Sequence, residues 1–228
     1  MGLDSRHIVL LLLCQAPCLG LGAQDSLRLQ KNFKLTDGIY YSFESFQRNQ
    51  PDASWEEVQA SVYSNPQNFM AQVEYIQASS ALPVALDSLW GICLGGIPYV
   101  RLPRGSVNRS LTVFAGLRLR GKICYFNYEN EEMRSVEMPV YIPNTDFVFR
   151  RAWVDREETI LYEKILHFET GEVLDFNPYN LRRWIGDDER LVQTLDAMNL
   201  DEVEEKLFKC LLIYVDRNPV IIKTEADD

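Results

Sequence analysis

Histidine and cysteine are scarce in this sequence, and their scarcity excludes several kinds of site. The 228 residues include two histidines and five cysteines. Beyond position 23 only His167, Cys93, Cys124 and Cys210 remain. A zinc site of the usual kind needs four histidine or cysteine ligands at characteristic spacings, which this set does not supply. We therefore predict neither a metal nor a cofactor.

Three cysteines cannot form a fully paired disulfide framework, because the number is odd. Each of the three lies in an apolar stretch, and free cysteine is among the residue types most often buried. One disulfide chosen from three pairings is compatible with the sequence. The apolar surroundings favour three buried free thiols instead.

Catalytic motifs are absent as well. A Ser-His-Asp triad would depend on His167, and no Gly-x-Ser-x-Gly elbow accompanies it. We therefore interpret His167 as a non-catalytic residue and assign no catalytic residue. Acidic residues are abundant at 187–189 and 204–205, a pattern typical of solvated helix starts. A glycosidase-type carboxylate pair across a cleft stays open as an alternative.

Acidic residues are missing from one long stretch, between Asp87 and Glu129. That stretch contains the basic residues Arg101, Arg104, Arg109, Arg118, Arg120 and Lys122. One interpretation is an anion-binding face for a polyanionic glycan or acidic lipid headgroups. The interpretation that we favour is intramolecular, with basic strands pairing weakly with the acidic C-terminal helices. The net charge of −10 argues against general nucleic-acid binding.

The first 23 residues have the pattern of an export signal. A weakly basic start precedes the apolar run at 8–14, which residues 16–21 extend, and small residues lead to Ala23 before a polar segment. This run is too short for a bilayer, which needs about 20 apolar residues. We expect cleavage after Ala23, no transmembrane segment in the mature chain, and export to the periplasm or the extracellular space. Lipidation is disfavoured, because Leu13 and Pro17 precede Cys14 and Cys18.

The remaining chain is long enough for one ordinary domain. We expect a signal peptide at 1–23, a flexible lead-in at 24–34 and a single domain over 35–228. Strands in the middle and helices at the end favour an α+β fold rather than βαβ winding. The expected architecture is an antiparallel β-sheet core with short N-terminal helices and a C-terminal helical segment.

Local signals place most of these elements. A short helix is expected after Ser42, and Ser54 with Glu57 forms a capping-box pattern that predicts a helical turn over 55–60. Strands are predicted at 69–77, 88–94, 97–101, 111–117, 122–128, 136–141, 159–169, 173–176 and 220–223. Gly95-Gly96 between two of them indicates a primed hairpin turn, and Pro98 then favours an edge position.

The C-terminal helices have clear start signals. Asn177-Pro178 predicts the first, Asp187 is expected to cap the second, and the third is expected over 202–216. Its apolar residues recur at spacings of three and four, which is typical of a helix with one buried stripe.

Four segments combine turns with aromatic residues. They are Asp37-Gly38-Ile39-Tyr40, Trp90-Gly91-Ile92-Cys93, Gly121-Lys122-Ile123-Cys124-Tyr125-Phe126 and Tyr214-Val215-Asp216-Arg217-Asn218-Pro219. This combination resembles a family of small exported proteins of Gram-negative bacteria with a domain of unknown function. The likeness spans most of the mature chain. It implies compartment and size but no activity, and Tyr214-Val215 departs from the Tyr-Asn that such proteins often carry.

Together these features favour a non-catalytic binding or interaction module of the cell envelope. The partner would be an envelope protein or an anionic glycan, and nucleic acid is not expected. The exposed candidates are the hairpin at 90–101 and the basic stretch that ends at Lys122. Two alternatives are a structural envelope component and a carboxylate-dependent hydrolase acting on glycans.

Overall fold

The computed structural model describes residues 26–29, 33–78, 83–107 and 110–223. Within them the chain is mostly antiparallel β-sheet with few helices, which agrees with the coarse α+β expectation. No helix in these ranges combines the length and the apolar character needed to cross a membrane. The expected signal peptide at 1–23 lies outside the described residues.

The elements of the described residues are numbered along the chain. The strands are β1 (Ser26–Leu29), β2 (Gly38–Tyr40), β3 (Val58–Asn65), β4 (Met70–Ala78), β5 (Gly91–Leu94), β6 (Ile97–Arg101), β7 (Thr112–Gly116), β8 (Ile123–Tyr141), β9 (Val148–His167), β10 (Val173–Asp175) and β11 (Val220–Lys223). The helices are α1 (Phe43–Gln47), α2 (Pro178–Trp184), α3 (Glu189–Asp196) and α4 (Leu200–Arg217), with a short 3-10 helix at Leu86–Ser88.

The strands form three antiparallel sheets. The largest has the order β2-β5-β6-β7-β4-β3 and curls into a half-barrel. The second has the order β10-β9-β8 and is dominated by the long hairpin of β8 and β9. The third pairs β1 with β11, so that Leu29 lies opposite Val220.

The base of the long hairpin is buried on both faces. On one face Cys124, Phe126 and Leu166 join a cluster with residues of the half-barrel. On the opposite face Ile123 and Ile165 pack against α2, α3 and α4. Successive side chains of a strand point to opposite faces, so apolar residues at consecutive positions predict a strand with cover on both sides. The hairpin base is therefore the layer between the half-barrel and the C-terminal helices.

The turn between β5 and β6 is the primed hairpin that the sequence predicts. Gly95 and Gly96 have φ values of 60° and 77°, which favour glycine because it has no Cβ. The Asp37 carboxylate accepts the N–H groups of both glycines, at 3.0 and 2.7 Å. The turn is thus fixed by its own conformation and by a side chain from the segment before β2.

The expected edge position of Pro98 is wrong, because β6 lies between β5 and β7. A proline in a central strand normally removes a hydrogen bond from the ladder. Here the Pro98 carbonyl accepts the Leu117 N–H at 2.9 Å, just past the end of β7. The backbone of Pro98 therefore faces the place where β7 stops, and no N–H is required there.

The expected helical turn over 55–60 is also wrong, although its local signal is real. The Glu57 carboxylate accepts the Ser54 N–H at 2.8 Å, as in a capping box. The chain then enters β3 at Val58 and pairs with β4 along eight residues. Pairing with the sheet therefore overrides a local motif that is compatible with a helix start.

Three further boundaries differ from the sequence prediction. The lead-in at 24–34 was expected to be flexible, but residues 26–29 form β1 and Leu29 is buried in the core. The predicted strands at 122–128 and 136–141 are parts of one strand, β8, and the strand predicted at 159–169 is the end of β9.

The C-terminal helices follow the sequence signals closely. Helix α2 begins after Asn177, whose side chain accepts the Asn180 N–H at 2.9 Å. The cap of α3 is Asp188 rather than the expected Asp187. Asp187 instead bonds to Tyr214 of α4 and to Lys122 in front of β8. These contacts attach the helices to the hairpin base.

The three cysteines of the described residues are free and buried, as the sequence favours. Burial raises the pKa of the Cys124 thiol to about 12, and burial beside Asp37 raises the pKa of Cys93 further. The thiolate is the nucleophilic form of cysteine, so these thiols are unreactive at neutral pH.

Candidate interaction surface

The candidate basic residues Arg101, Arg104 and Arg118 each bond to the protein itself. The Arg101 guanidinium donates to the Leu89 carbonyl at 2.8 Å, and Arg104 forms an ion pair with Asp87. Arg118 donates to the Asn68 carbonyl at 3.0 Å and lies over the Phe69 ring. A cleft of about 360 Å³ opens beside Arg104, but its only carboxylate among the described residues is the paired Asp87.

Arg120 and Lys122 differ sharply in exposure. Arg120 is 9% exposed and donates to the carbonyls of Phe33 and Gly96, so it cannot belong to an anion-binding face on the surface. Lys122 pairs with Asp187 at 3.1 Å, which matches the expected pairing of a basic strand segment with the acidic helices. Arg109 lies outside the described residues.

The single histidine of the described residues has no catalytic partner among them. His167 lies at the end of β9, where its ring meets the Trp184 ring edge-to-face. Burial lowers its pKa, and its buried Nδ1 has no hydrogen-bond partner in the described chain. A triad base would need a carboxylate at that nitrogen.

The acidic residues before α3 are held by neighbouring side chains. Partial burial opposes ionisation of Asp187, but hydrogen bonds from Tyr214 and Lys122 outweigh it, so its pKa is lowered. Arg217 and the first backbone N–H groups of α3 lower the pKa of Asp188. A glycosidase acid needs a raised pKa, so neither carboxylate suits that role.

The most unusual surface is the outer part of the long hairpin. We call residues 131–159 the arm: they follow the Asn130–Ile160 pair, and none of them is buried. Beyond that pair β8 and β9 pair only with each other, because β10 meets β9 at residues 164–166 alone. At about 3.3 Å per residue, the arm extends about 33 Å from the hairpin base.

Large apolar side chains are concentrated on the arm. Phe147, Phe149 and Trp153 are each more than 70% exposed. The same exposed class on the arm includes Met133, Met138, Tyr141, Ile142, Val148 and Val154. A concentration of exposed apolar side chains is typical of sites that bind another molecule, whereas single exposed apolar residues are ordinary.

Two pairs of like charges face each other on the arm. Glu132 lies opposite Glu158, and Arg134 lies opposite Arg156, in the ladder of β8 and β9. Like charges directly opposite each other destabilise a strand pair. A two-stranded hairpin with no cover is itself marginally stable in water. Contacts within the molecule therefore do not explain the length and the composition of the arm.

The tip of the arm is a tight turn. The Ile142 N–H donates to the Phe147 carbonyl at 3.0 Å, and Asn144 adopts a φ of 61°. Residue Phe149 is the extra residue of a bulge, since Val140 lies opposite Arg150 and Tyr141 opposite Val148. The turn and the bulge hold the aromatic side chains of the tip outward.

The sequence reasoning missed this arm because its signals are weak ones. Neither strand has a buried face, so the apolar alternation that reveals a strand is missing from 129–135 and 150–158. The detectable signal was Pro143-Asn144 between two segments rich in β-branched and aromatic residues.

The chain was compared with protein-family models, with curated proteins and with solved structures, and nothing in the three sets matches it.

Proposed function

We propose that this protein is a non-catalytic interaction module of the cell envelope, exported to the periplasm or the extracellular space, and that the arm is its binding element. The observation that carries the proposal is the exposed apolar surface of the arm, which includes the 71% exposed side chain of Trp153. The likeness to small exported Gram-negative proteins, and the signal pattern at 1–23, supply the compartment.

The chemistry of the described residues favours binding over catalysis. The buried thiols have raised pKa values, and the carboxylates before α3 have lowered ones. The clefts beside Arg104 and Arg118 each contain one carboxylate among the described residues, Asp87 and Glu129. A third cleft, at Arg217, is lined by Asp187, Asp188 and Glu189, but Asp187 is bound by Tyr214 and Lys122 and Asp188 by Arg217. A glycosidase needs two carboxylates about 5–9.5 Å apart across a cleft.

The arm also has the features that natural proteins use for recognition. It presents aromatic side chains, which dominate interface energies, on an exposed two-stranded hairpin. Basic and acidic residues flank them, so a partner would be selected by charge as well as by apolar contact. The partner expected on this chemistry is a protein surface with an apolar centre and charged borders.

The proposal is tested by photocrosslinking in intact cells. A photoreactive amino acid is placed at Phe149 on the arm and, as a matched aromatic control, at Tyr63 on β3, which is 60% exposed. We expect a discrete crosslinked product from Phe149 and none from Tyr63. Equal labelling at both positions, or none at Phe149, would contradict the arm as the binding element.

A shortened arm separates binding from folding. Residues 133–157 are replaced by Asn-Gly, so that a two-residue turn joins the opposed pair of Glu132 and Glu158. Because no arm residue is buried, we expect thermal unfolding to stay within a few degrees of the parent protein. The partner should no longer bind. A shortened protein that still captures the same partner would show that the body carries the interaction.

A further inference from the structure

In the arm, the edge of β9 that faces away from β8 has unpaired backbone N–H and C=O groups, which could pair with another strand. The inference drawn from this edge rests on the proposed function and specifies the partner. The Phe176 N–H donates to the Glu163 carbonyl, and the His167 N–H donates to the Glu172 carbonyl, both at 2.9 Å on the side away from β8. Backbone groups alternate along a strand. The odd-numbered residues of the arm therefore direct their N–H and C=O groups to the open side: Arg151, Trp153, Asp155, Glu157 and Thr159.

The corresponding edge of β8 is less suited to pairing. Pro139 has no N–H to donate, and a proline on an edge is a common device against strand addition. Acidic residues dominate this strand, with Glu129, Glu131, Glu132 and Glu137 along it. The edge of β9 contains no proline between Val148 and His167. Of the two free edges of the arm, that of β9 is thus the better suited to pairing.

Four charged residues of β9 are arranged antisymmetrically about Val154, whereas Asp155 and Arg156 lie outside this pattern. Two arginines, Arg150 and Arg151, lie on the tip side, and Glu157 and Glu158 lie at the same distances on the base side. Of these four residues only Arg151 forms an ion pair with another described residue, Glu137 at 3.1 Å. A strand with this pattern is complementary to an antiparallel copy of itself.

We propose that two copies of this chain associate through their β9 edges, antiparallel, with the twofold axis at Val154. In this register Arg150 of each copy lies opposite Glu158 of the other, and Arg151 lies opposite Glu157. The four pairs are all of opposite charge. Odd-numbered residues of one β9 strand lie opposite odd-numbered residues of the other. This parity is required because the odd-numbered residues have their N–H and C=O groups on the open edge.

Neighbouring registers are less favourable. Registers that keep the backbone groups paired shift the axis by one residue at a time. An axis at Asp155 places that carboxylate opposite its own copy, and an axis at Trp153 places Arg150 opposite Arg156 twice. Like charges directly opposite each other are destabilising. The axis at Val154 is the one that pairs both arginines with both glutamates.

The apolar side chains next to the axis fit the same register. The two Val154 residues are directly opposed, and each already lies opposite Val136 of its own β8, so four valines form one row across the joined sheet. On the other face the two Trp153 side chains are diagonal neighbours, at about 7–8 Å between backbones and within reach of aromatic contact. Pairing thus covers Trp153, one of the three arm aromatic residues that are more than 70% exposed.

The length of the free edge also fits. Leu161 at the base and Phe147 at the tip each lie seven positions from Val154 along the chain. Each tip therefore reaches the base of the other copy, where Leu161 is exposed and β10 closes the edge. The two bodies lie at opposite ends of the joined arms and do not compete for space.

Charge variants test the pairing by sedimentation equilibrium of the purified protein. R150E/R151E turns all four cross-pairs into acidic ones and is expected to raise the dimer dissociation constant on the order of a hundredfold. E157R/E158R turns them basic, with the same expected result. Mixing these two variants restores four opposite pairs, so the mixture should form a heterodimer of parental affinity.

Two controls separate specific pairing from general charge effects. The quadruple variant R150E/R151E/E157R/E158R exchanges every partner and should dimerise as the parent does. E129R/E131R changes the charge of β8 as much as E157R/E158R changes that of β9, and it should leave the dissociation constant within about threefold. A loss of dimer in either control would overturn the charge register.

Cysteine crosslinking tests the axis itself. Directly opposed residues of a non-hydrogen-bonded pair lie about 4.5 Å apart at Cα, within the range for a disulfide. V154C should therefore form a disulfide-linked dimer on mild oxidation. A152C alone should not, but A152C mixed with R156C should, since residue 152 lies opposite 156 in this register. A crosslink of A152C to itself would place the axis elsewhere.

The outcomes distinguish this inference from the proposed function. A parent protein that is monomeric across the whole concentration range overturns self-pairing. If its Phe149 crosslink in cells then has the mass of this chain plus another protein, the arm still binds a partner and the proposed function stands. A crosslink at twice the mass of the chain supports both, and the absence of any arm crosslink removes the proposed function.

Discussion

The two halves of the long hairpin have the same ladder and opposite surroundings. At the base, Cys124 and Leu166 face the half-barrel while Ile123 and Ile165 face the helices, and all four are buried. In the arm the pairing continues in unchanged register to Val140, yet no residue is buried. Hydrogen bonding is therefore common to both halves, and cover by other elements is what differs.

The comparison shows where the stability of this hairpin comes from. A backbone hydrogen bond exchanges with water and contributes little net free energy, whereas buried apolar area contributes about 25 cal/mol per Å². The base has both contributions and the arm has only the first. A long strand pair can thus be anchored at one end and remain available for binding at the other.

The largest test of this difference uses two leucines of β9. Leu166 is fully buried at the base, and Leu161, five residues away in the same strand, is 53% exposed. Leu166→Ala is expected to lower the free energy of unfolding by about 2–5 kcal/mol, because it leaves a cavity. Leu161→Ala is expected to change it by less than about 0.5 kcal/mol. Urea unfolding at low protein concentration measures both, and similar losses would refute the conclusion that cover by other elements decides what a residue of β9 contributes to stability.

A second test concerns the contact between the base and α4. An added Cβ at Gly121 would lie 2.4 Å from Val215 Cγ1, so one of the two elements must shift. Gly121→Ala is expected to lower the free energy of unfolding by about 1–3 kcal/mol through overpacking. The matched change Gly186→Ala meets no atom closer than 3.9 Å and should be nearly neutral. Thermal unfolding of both variants measures this difference. A Gly121→Ala protein as stable as the parent would mean that α4 is not tightly packed against the hairpin base.

The smallest test addresses the polar link between α4 and the hairpin base. The Tyr214 hydroxyl donates to Asp187 at 2.8 Å and helps to lower the pKa of that carboxyl. Tyr214→Phe should cost about 1 kcal/mol at pH 7.

A depressed pKa stabilises the folded state above the ordinary aspartate value of about 4, and this stabilisation is lost as the pH falls through the native pKa. The difference between parent and Tyr214→Phe should therefore shrink below about pH 4. Urea unfolding at pH 7 and pH 3 measures it, with the exposed Tyr179→Phe as control. A difference that grows on acidification would contradict the assigned hydrogen bond.

The parts of the fold that the sequence predicts well are those with local determinants. Gly95-Gly96 permits one kind of turn, and Asn177-Pro178 starts a helix wherever it lies. The parts predicted wrongly depend on neighbours distant in sequence. Pro98 is tolerated because β7 ends beside it, and the Ser54–Glu57 motif leads into a strand because β4 is available for pairing.

The apolar alternation that predicts half-buried strands does not detect the arm, because none of its residues is buried. Period-two alternation reports one buried face, and the segment from Glu129 to Ser135 has none. The basic residues were identified as a group by their charge, but the sequence could not show that Arg120 is buried. The antisymmetry of charge about Val154 is present in the sequence and acquires meaning once β9 is known to have a free edge.

The pairing of β1 with β11 has a consequence for how the molecule assembles. Leu29 and Ile222 enter the same apolar cluster from nearly opposite ends of the chain. Contacts of such high sequence separation are closed late in folding, since the entropy of the intervening loop must be lost first. A ribosome-bound chain can form the half-barrel and the hairpin before β11 is synthesised. The pairing of β1 with β11 can form only after β11 has left the ribosome. The core cluster that contains Leu29 is therefore complete only after β11 has been synthesised.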